Sequence, residues 1–246
     1  KMFNRCKKEK RVSKIMKDAN MIYIPKTTGA SRTINNSAEK PELRPIQLCE
    51  TLTKIYTTLW SKRISKIIEE NQLLQKNQFA FRKNLSTNDP LKNLAMMLER
   101  AHENEEELHI AAIDVAKAYD TVPGWGMELA LERLGLPREV VTILRNLDEN
   151  ANTKVITGHG MTEEYQIMNG LRQGESLSPL KWNIFLDALL EMTNEKCDKT
   201  KATKETNEVK RKNPPKEYSA SSIYADDSLW IAKTNEDLQH RVSIVA

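Results

Sequence analysis

A chain of 246 residues that is 39% hydrophobic and 29% charged is long enough for one or two packed cores, and it is neither a coiled coil nor disordered throughout. No apolar run reaches the length of a membrane span, and the basic start, residues 1–11, lacks the apolar stretch of a secretory signal, so an intracellular protein with no membrane partner is expected. Cys6, Cys49 and Cys197 are too widely spaced for a disulfide framework or a zinc site, and a net charge of +4 suits a polyanionic partner without requiring one.

Residues 1–20 are rich in Lys and Arg and are expected to form a solvated face. Met21-Ile22-Tyr23-Ile24 is a short β-prone run closed by Pro25, and the Thr, Ser, Asn and Gly of residues 26–41 predict a loop or loose hairpin. Leu52, Ile55, Tyr56, Leu59, Trp60, Ile64, Ile67 and Ile68 recur at helical spacing, so a long amphipathic helix is predicted with its aromatic rings in the core. Leu91, Leu94, Ala95, Leu98 and Ala101 predict a second helix. The apolar run from Leu108 to Ile113 suits a buried strand, and it ends in Asp114.

Helical patterns follow at 126–134 and, after Pro137, at 138–147. Residues 154–157 and 164–168, separated by Gly158-His159-Gly160, read as a hairpin, and Ser178-Pro179 opens an apolar helix. Residues 196–217 carry almost no large apolar side chains and are expected to be a flexible surface insertion. Ser222-Ile223-Tyr224-Ala225 and Ser228-Leu229-Trp230-Ile231 flank Asp226-Asp227, two short strands around an acidic turn. The order of elements predicts an α+β protein whose largely antiparallel sheet is backed by helices.

By itself Asp226-Asp227 is an ordinary polar hairpin tip. Asp114 changes the reading, because a carboxylate leaving a buried strand needs a partner cation. Three acids of this kind make sense as ligands of hard divalent ions, which take oxygen donors. A pair of such ions roughly 3.5–4 Å apart stabilises the attacking and leaving oxygens of phosphoryl displacement.

At this point the residues resemble a family, the fingers and palm of reverse transcriptases of the non-LTR retrotransposon type, related to the enzymes of group II introns. The resemblance runs from about Ile22 to Trp230. Tyr224-Ala225-Asp226-Asp227 looks like the family's Tyr-x-Asp-Asp box, and the run from Asp114 to Asp120 looks like its first acidic motif. Between them, Gly170-Leu171-Arg172-Gln173-Gly174-Glu175-Ser176-Leu177-Ser178-Pro179 resembles the glutamine box. Upstream, Ile24-Pro25-Lys26 and Arg44-Pro45-Ile46 resemble two fingers motifs, while Gln78-Phe79-Ala80-Phe81-Arg82 resembles a template-side segment. The chain departs from the pattern at Ala80, commonly glycine, and at Lys181-Trp182, usually an apolar-aromatic pair.

The resemblance implies a right-handed polymerase, with fingers over 1–110 and mainly palm over 111–246, fingers elements being interleaved near 125–150. It implies an RNA-directed DNA polymerase that extends a DNA or RNA primer on an RNA template with dNTPs, in the nucleus if the element is eukaryotic. Two Mg²⁺ ions, with Mn²⁺ able to substitute, would be held by Asp114, Asp226, Asp227 and the backbone of Val115. Lys26 and Arg44 would contact the triphosphate, and Gln173 and Gly174 the sugar and base. Tyr119 would be the steric gate that fills the space of a ribose 2′-hydroxyl. Gln78, Arg82, Arg172 and Tyr224 would lie along template and primer. The plainer readings stand beside these, with Lys26 and Arg44 as surface charges and Tyr119 as core. The chain is expected to be a fragment without a thumb. A maturase-type enzyme or an inactive RNA-binding palm are the alternatives to a retrotransposon polymerase.

Overall fold

The computed structural model describes residues 1–25, 43–204 and 221–245. In chain order the first elements are helices α1 (Met2–Glu9) and α2 (Lys14–Lys17), strands β1 (Ala19–Pro25) and β2 (Leu43–Cys49), and helices α3 (Thr51–Glu70) and α4 (Asn88–Glu103). Strand β3 (His109–Asp114) and helices α5 (Ala118–Thr121), α6 (Gly124–Arg133) and α7 (Arg138–Asp148) follow. Strands β4 (Asn152–Thr157), β5 (Gly160–Met161) and β6 (Tyr165–Gln166) lead to α8 (Ser178–Lys204), β7 (Ser221–Tyr224), β8 (Asp227–Ala232) and α9 (Asn235–Val245). Among the described residues, no helix is long and apolar enough to cross a membrane. The loop expected over 26–41 lies outside the described residues.

The chain forms two compact units, neither of them continuous in sequence. The first gathers residues 1–61, 119–128 and 136–178, and the second gathers 62–118, 129–135 and 179–246. Each unit is interleaved with the other along the chain.

The first unit is built on a sheet of order β2-β1-β4-β5, with β6 added to β4. Antiparallel β1 and β2 set Ile22 opposite Ile46, while β1 and β4 run parallel with Asn20 opposite Lys154. Val141, Leu144 and Leu147 recur every three residues along α7 and are buried, which gives the helix its apolar stripe. The basic start is more than the solvated face expected of it. Cys6, Val12 and Met16 are buried, and the Val12 amide donates to Asn146 Oδ1 at 2.9 Å, so three apolar side chains dock a mostly charged segment. The hairpin predicted around Gly158-His159-Gly160 forms, but its second strand is split. β5 pairs with the end of β4 and β6 with its beginning.

In the second unit β3, β8 and β7 form an antiparallel sheet in that order. Leu180, Trp182, Ile184 and Leu190 of α8 and Ile223, Trp230 and Ile231 of the sheet are buried. Helix α8 runs on to Lys204, so the first part of the expected insertion is helical, as its Lys and Ala residues allow, and residues 205–217 lie outside the described ones.

Two sequence expectations shift. β3 is not a buried strand: its residues alternate between half-buried and exposed, because it is an edge strand that pairs with β8 alone among the described strands. In α4 the buried residues are Pro90, Met97 and Ala101, while Leu91 and Leu98 face out, so the apolar stripe is rotated from the predicted one. Along α3, Tyr56, Trp60, Ile64 and Ile68 are buried at four-residue steps, with the aromatic rings in the core as predicted, whereas Leu52, Ile55, Leu59 and Ile67 of the same predicted pattern are exposed.

Candidate active site

The β7–β8 hairpin closes through a two-residue turn, Ala225-Asp226, with Tyr224 opposite Asp227. Ala225 has φ 58°, and Asp226 is not in the left-handed region. A positive φ at the first turn position alone is the pattern of a type II′ hairpin, which matches the twist of the flanking strands and prefers glycine there. An alanine in that position costs about 1–2 kcal/mol, so surrounding contacts must hold the turn. Two do so. The Val115 amide donates to the Asp226 carbonyl at 3.2 Å, and the Trp182 indole Nε1 donates to the Ala225 carbonyl at 2.9 Å. Just below the turn, Trp230 Nε1 donates to Ser228 Oγ at 2.9 Å, and that hydroxyl donates to the Ile113 carbonyl at 3.1 Å.

The ladder between β3 and β8 sets Asp114 directly opposite Asp227. Residues opposite one another in an antiparallel pair share a face, with Cβ atoms about 4.5–5.5 Å apart, and like charges so placed repel. Asp114, Asp226 and Asp227 are all exposed at this end of the sheet. The argument from a buried strand therefore does not apply to Asp114; the case for a cation rests on two carboxylates held face to face. The donor set is all oxygen, with the Val115 carbonyl next along the chain, and suits a hard divalent ion. Among the described residues, no three His, Cys, Asp or Glu side chains converge closely enough to enclose an ion.

The segment from Gln75 to Arg82, alongside β7, is a brace. The Phe79 amide donates to the Ile223 carbonyl at 3.0 Å and the Ile223 amide donates to the Asn77 carbonyl at 2.9 Å. Gln78 is 1% exposed, and its amide donates to the Asn183 carbonyl and to Asp187 Oδ1 at 3.2 and 3.4 Å. Arg82 grips Glu69 through two bonds of 2.9 Å and the carbonyls of Gln75 and Gln78 at 3.1 and 3.2 Å. Asp187 is fully buried and accepts from the Gln75 amide at 2.7 Å and from Arg133. Burial pushes its carboxyl above the usual range, against the pull of the Gln75 amide and Arg133. Gln78 and Arg82, expected along the template, hold this segment together through these internal hydrogen bonds. Tyr224 is half-buried at the end of β7.

The glutamine box belongs to the first unit. The Leu171 amide donates to the Tyr119 carbonyl at 2.7 Å, the Gly170 amide to the Val122 carbonyl at 3.0 Å, and the Gln47 amide to the Gln173 carbonyl at 2.7 Å. A Cβ on Gly170 would meet Asp120 Cα at 3.0 Å, and one on Gly174 would lie 2.7 Å from the Gln47 carbonyl oxygen. Both glycines, at φ 98° and 110°, let the chain approach itself. Arg172 is 3% exposed and donates to the Leu147 carbonyl at 2.6 Å, beside Asp148. Burial works against its charge, but Glu175 and Asp148 outweigh it and leave the guanidinium more basic than usual. Arg172, expected along template and primer, is a buried internal tie. Gln173 and Tyr119 are half-buried, Gly174 is exposed, and Arg44 is exposed on β2 opposite Ile24. Lys26 lies outside the described residues.

Sequence reasoning missed Asn183 and Asp187. The signal was present as polar residues inside an apolar helix, since a buried polar group must find partners. Asn183 donates to the Ala80 carbonyl at 2.7 Å.

Residues 24–246 match the family described as reverse transcriptase (RNA-dependent DNA polymerase). Over 221 residues the chain is 24% identical to the retrovirus-related Pol polyprotein of the type-2 retrotransposable element R2DM of Drosophila melanogaster, covering 90% of this chain and 19% of that protein. It is 28% identical over 148 residues to the probable RNA-directed DNA polymerase of the Drosophila melanogaster transposon BS, covering 60% of this chain and 16% of that one. The chain thus spans about a fifth of the length of these curated relatives. Apo telomerase from Candida tropicalis, truncated from its C-terminal domain, shares the fold with a TM-score of 0.60 at 13% identity, over 95% of this chain and 47% of that one. With a family match that spans most of its length and contains Asp114, the glutamine box and the Asp226-Asp227 turn, the chain belongs to the reverse transcriptase (RNA-dependent DNA polymerase) family.

Proposed function

We propose that this chain is the polymerising part of a retroelement reverse transcriptase, which extends a DNA or RNA primer with dNTPs on an RNA template. The observation that carries the reading is the register that sets Asp114 opposite Asp227 beside the Asp226 turn. Asp114, Asp226 and Asp227, with the Val115 carbonyl, would hold two Mg²⁺ ions, or Mn²⁺ in their place. Bound there, the metals would lower the pKa of the primer 3′-hydroxyl and neutralise charge on the triphosphate.

The chain's own residues supply position. The ladder between β3 and β8 keeps two carboxylates on one face, so the electrostatic environment is prepared before substrate arrives. Arg44, exposed on β2, and Lys26 would meet triphosphate oxygens, the first as a forked donor and the second as a point charge. Tyr119, only half-buried, would act as the gate against ribonucleotides, with Gln173 and Gly174 near the sugar and Tyr224 near the primer. The first unit would correspond to fingers-type elements and the second to palm.

Primer extension on an RNA template with Mg²⁺ and dNTPs tests the reading, comparing the full-length protein with Asp226→Ala. The expected result is a loss of at least about a hundredfold in rate, since removal of one preorganised charge-stabilising group costs on that scale. Equal rates for the two proteins would sink the proposal.

A further inference from the structure

The Ala225 carbonyl sits in a two-residue turn and has no place in the strand ladder, and a carbonyl so placed usually faces water. Here it accepts a hydrogen bond from the indole of Trp182 at 2.9 Å. Trp182 is 2% exposed in α8, and its neighbour Asn183 is tied to the Ala80 carbonyl, so the indole is a fixed post and not a mobile surface ring. It grips the residue whose φ of 58° is unfavourable for alanine, immediately before the two aspartates of the turn.

We propose that Trp182 is a positioning residue, whose indole N–H fixes the Ala225 peptide and thereby the directions in which Asp226 and Asp227 present their carboxylates. This inference rests on the reading of those aspartates as metal ligands. A ring of any kind at 182 can fill the core, but only one carrying a donor can hold the turn.

Trp182→Phe keeps most of the packing and removes the donor, and benzothienylalanine at 182 removes the N–H with the ring shape unchanged. In the full chain, calorimetric titration with Mn²⁺, without primer or dNTP, should show affinity falling about 3–10-fold in either variant, the scale of one net hydrogen bond. In primer extension kcat should fall with it and KM for dNTP stay level. Ala225→Gly relieves the turn, so Trp182→Phe in that background should change Mn²⁺ affinity by less than about twofold, a non-additive cycle. The same loss in both backgrounds would make Trp182 a packing residue only and overturn the inference. So would Mn²⁺ binding that Asp226→Ala abolishes but both Trp182 replacements leave intact. Absence of Asp226-dependent Mn²⁺ binding in the unaltered protein would instead defeat the metal-ligand reading, and the inference with it.

Discussion

Gly174 has no room for a side chain, since the oxygen that a Cβ would strike at 2.7 Å belongs to the Gln47 backbone and cannot swing away. Its φ of 110° adds strain for any other residue. Gly174→Ala should therefore lower stability by about 1–3 kcal/mol, read as a fall in the urea midpoint. Gly135→Ala is the control: its φ is 74° with open space around it, so it lacks the clash and should cost less. The sequence marked Gly174 as part of the glutamine box, but what comes close to it was not legible there. Arg172, Gln78 and Arg82 make the same point in reverse. Their motifs marked them out, yet a motif does not say whether an arginine faces a phosphate or a carbonyl of its own chain, which depends on the elements folded around it.

At the scale of elements, the brace alongside β7 is closed by Arg82 and Glu69, which link the end of α3 to the segment from Gln75 to Arg82. The hydrogen bond from Arg82 holds the Glu69 carboxyl below its ordinary value of 4.5. A depressed carboxylate pKa gives stability that is fully present above the unfolded value and is lost as pH falls through the folded one. Glu69→Gln should therefore be less stable than the unaltered protein at about pH 6, and the gap should narrow on going to about pH 3. Urea denaturation at both pH values checks this, and a gap that does not change would dissociate Glu69 from the acid response. Helices were the most readable elements, because α3, α7 and α8 carry their apolar period over many residues. β3 was misread as buried because an apolar run looks the same on an edge strand as in a sheet's interior. What separates the two is the number of neighbouring strands, which no local pattern records.

For the whole molecule, the fold class followed from the order of elements, whereas the bounds of the two interleaved units are set by contacts between distant stretches, which that order does not record. Each unit draws on three separate stretches, so a cut after residue 118 leaves neither unit complete on either side. The isolated segment 1–118 should show no cooperative unfolding transition by circular dichroism, whereas the whole chain should. A cooperative transition in that segment would mean that the cores are more local than the structure indicates. The separation of stretches within one unit bears on when the proposed site would come into being. Asp114 meets Asp227 only through a ladder between strands distant in the chain, and pairing of that kind is paid for in loop closure before any contact rewards it. During synthesis, a growing chain carries Asp114 long before its counterpart leaves the ribosome. The pairing of Asp114 with Asp227, and with it the proposed metal site, cannot form until translation is nearly through this region, so that arrangement would arrive late in folding.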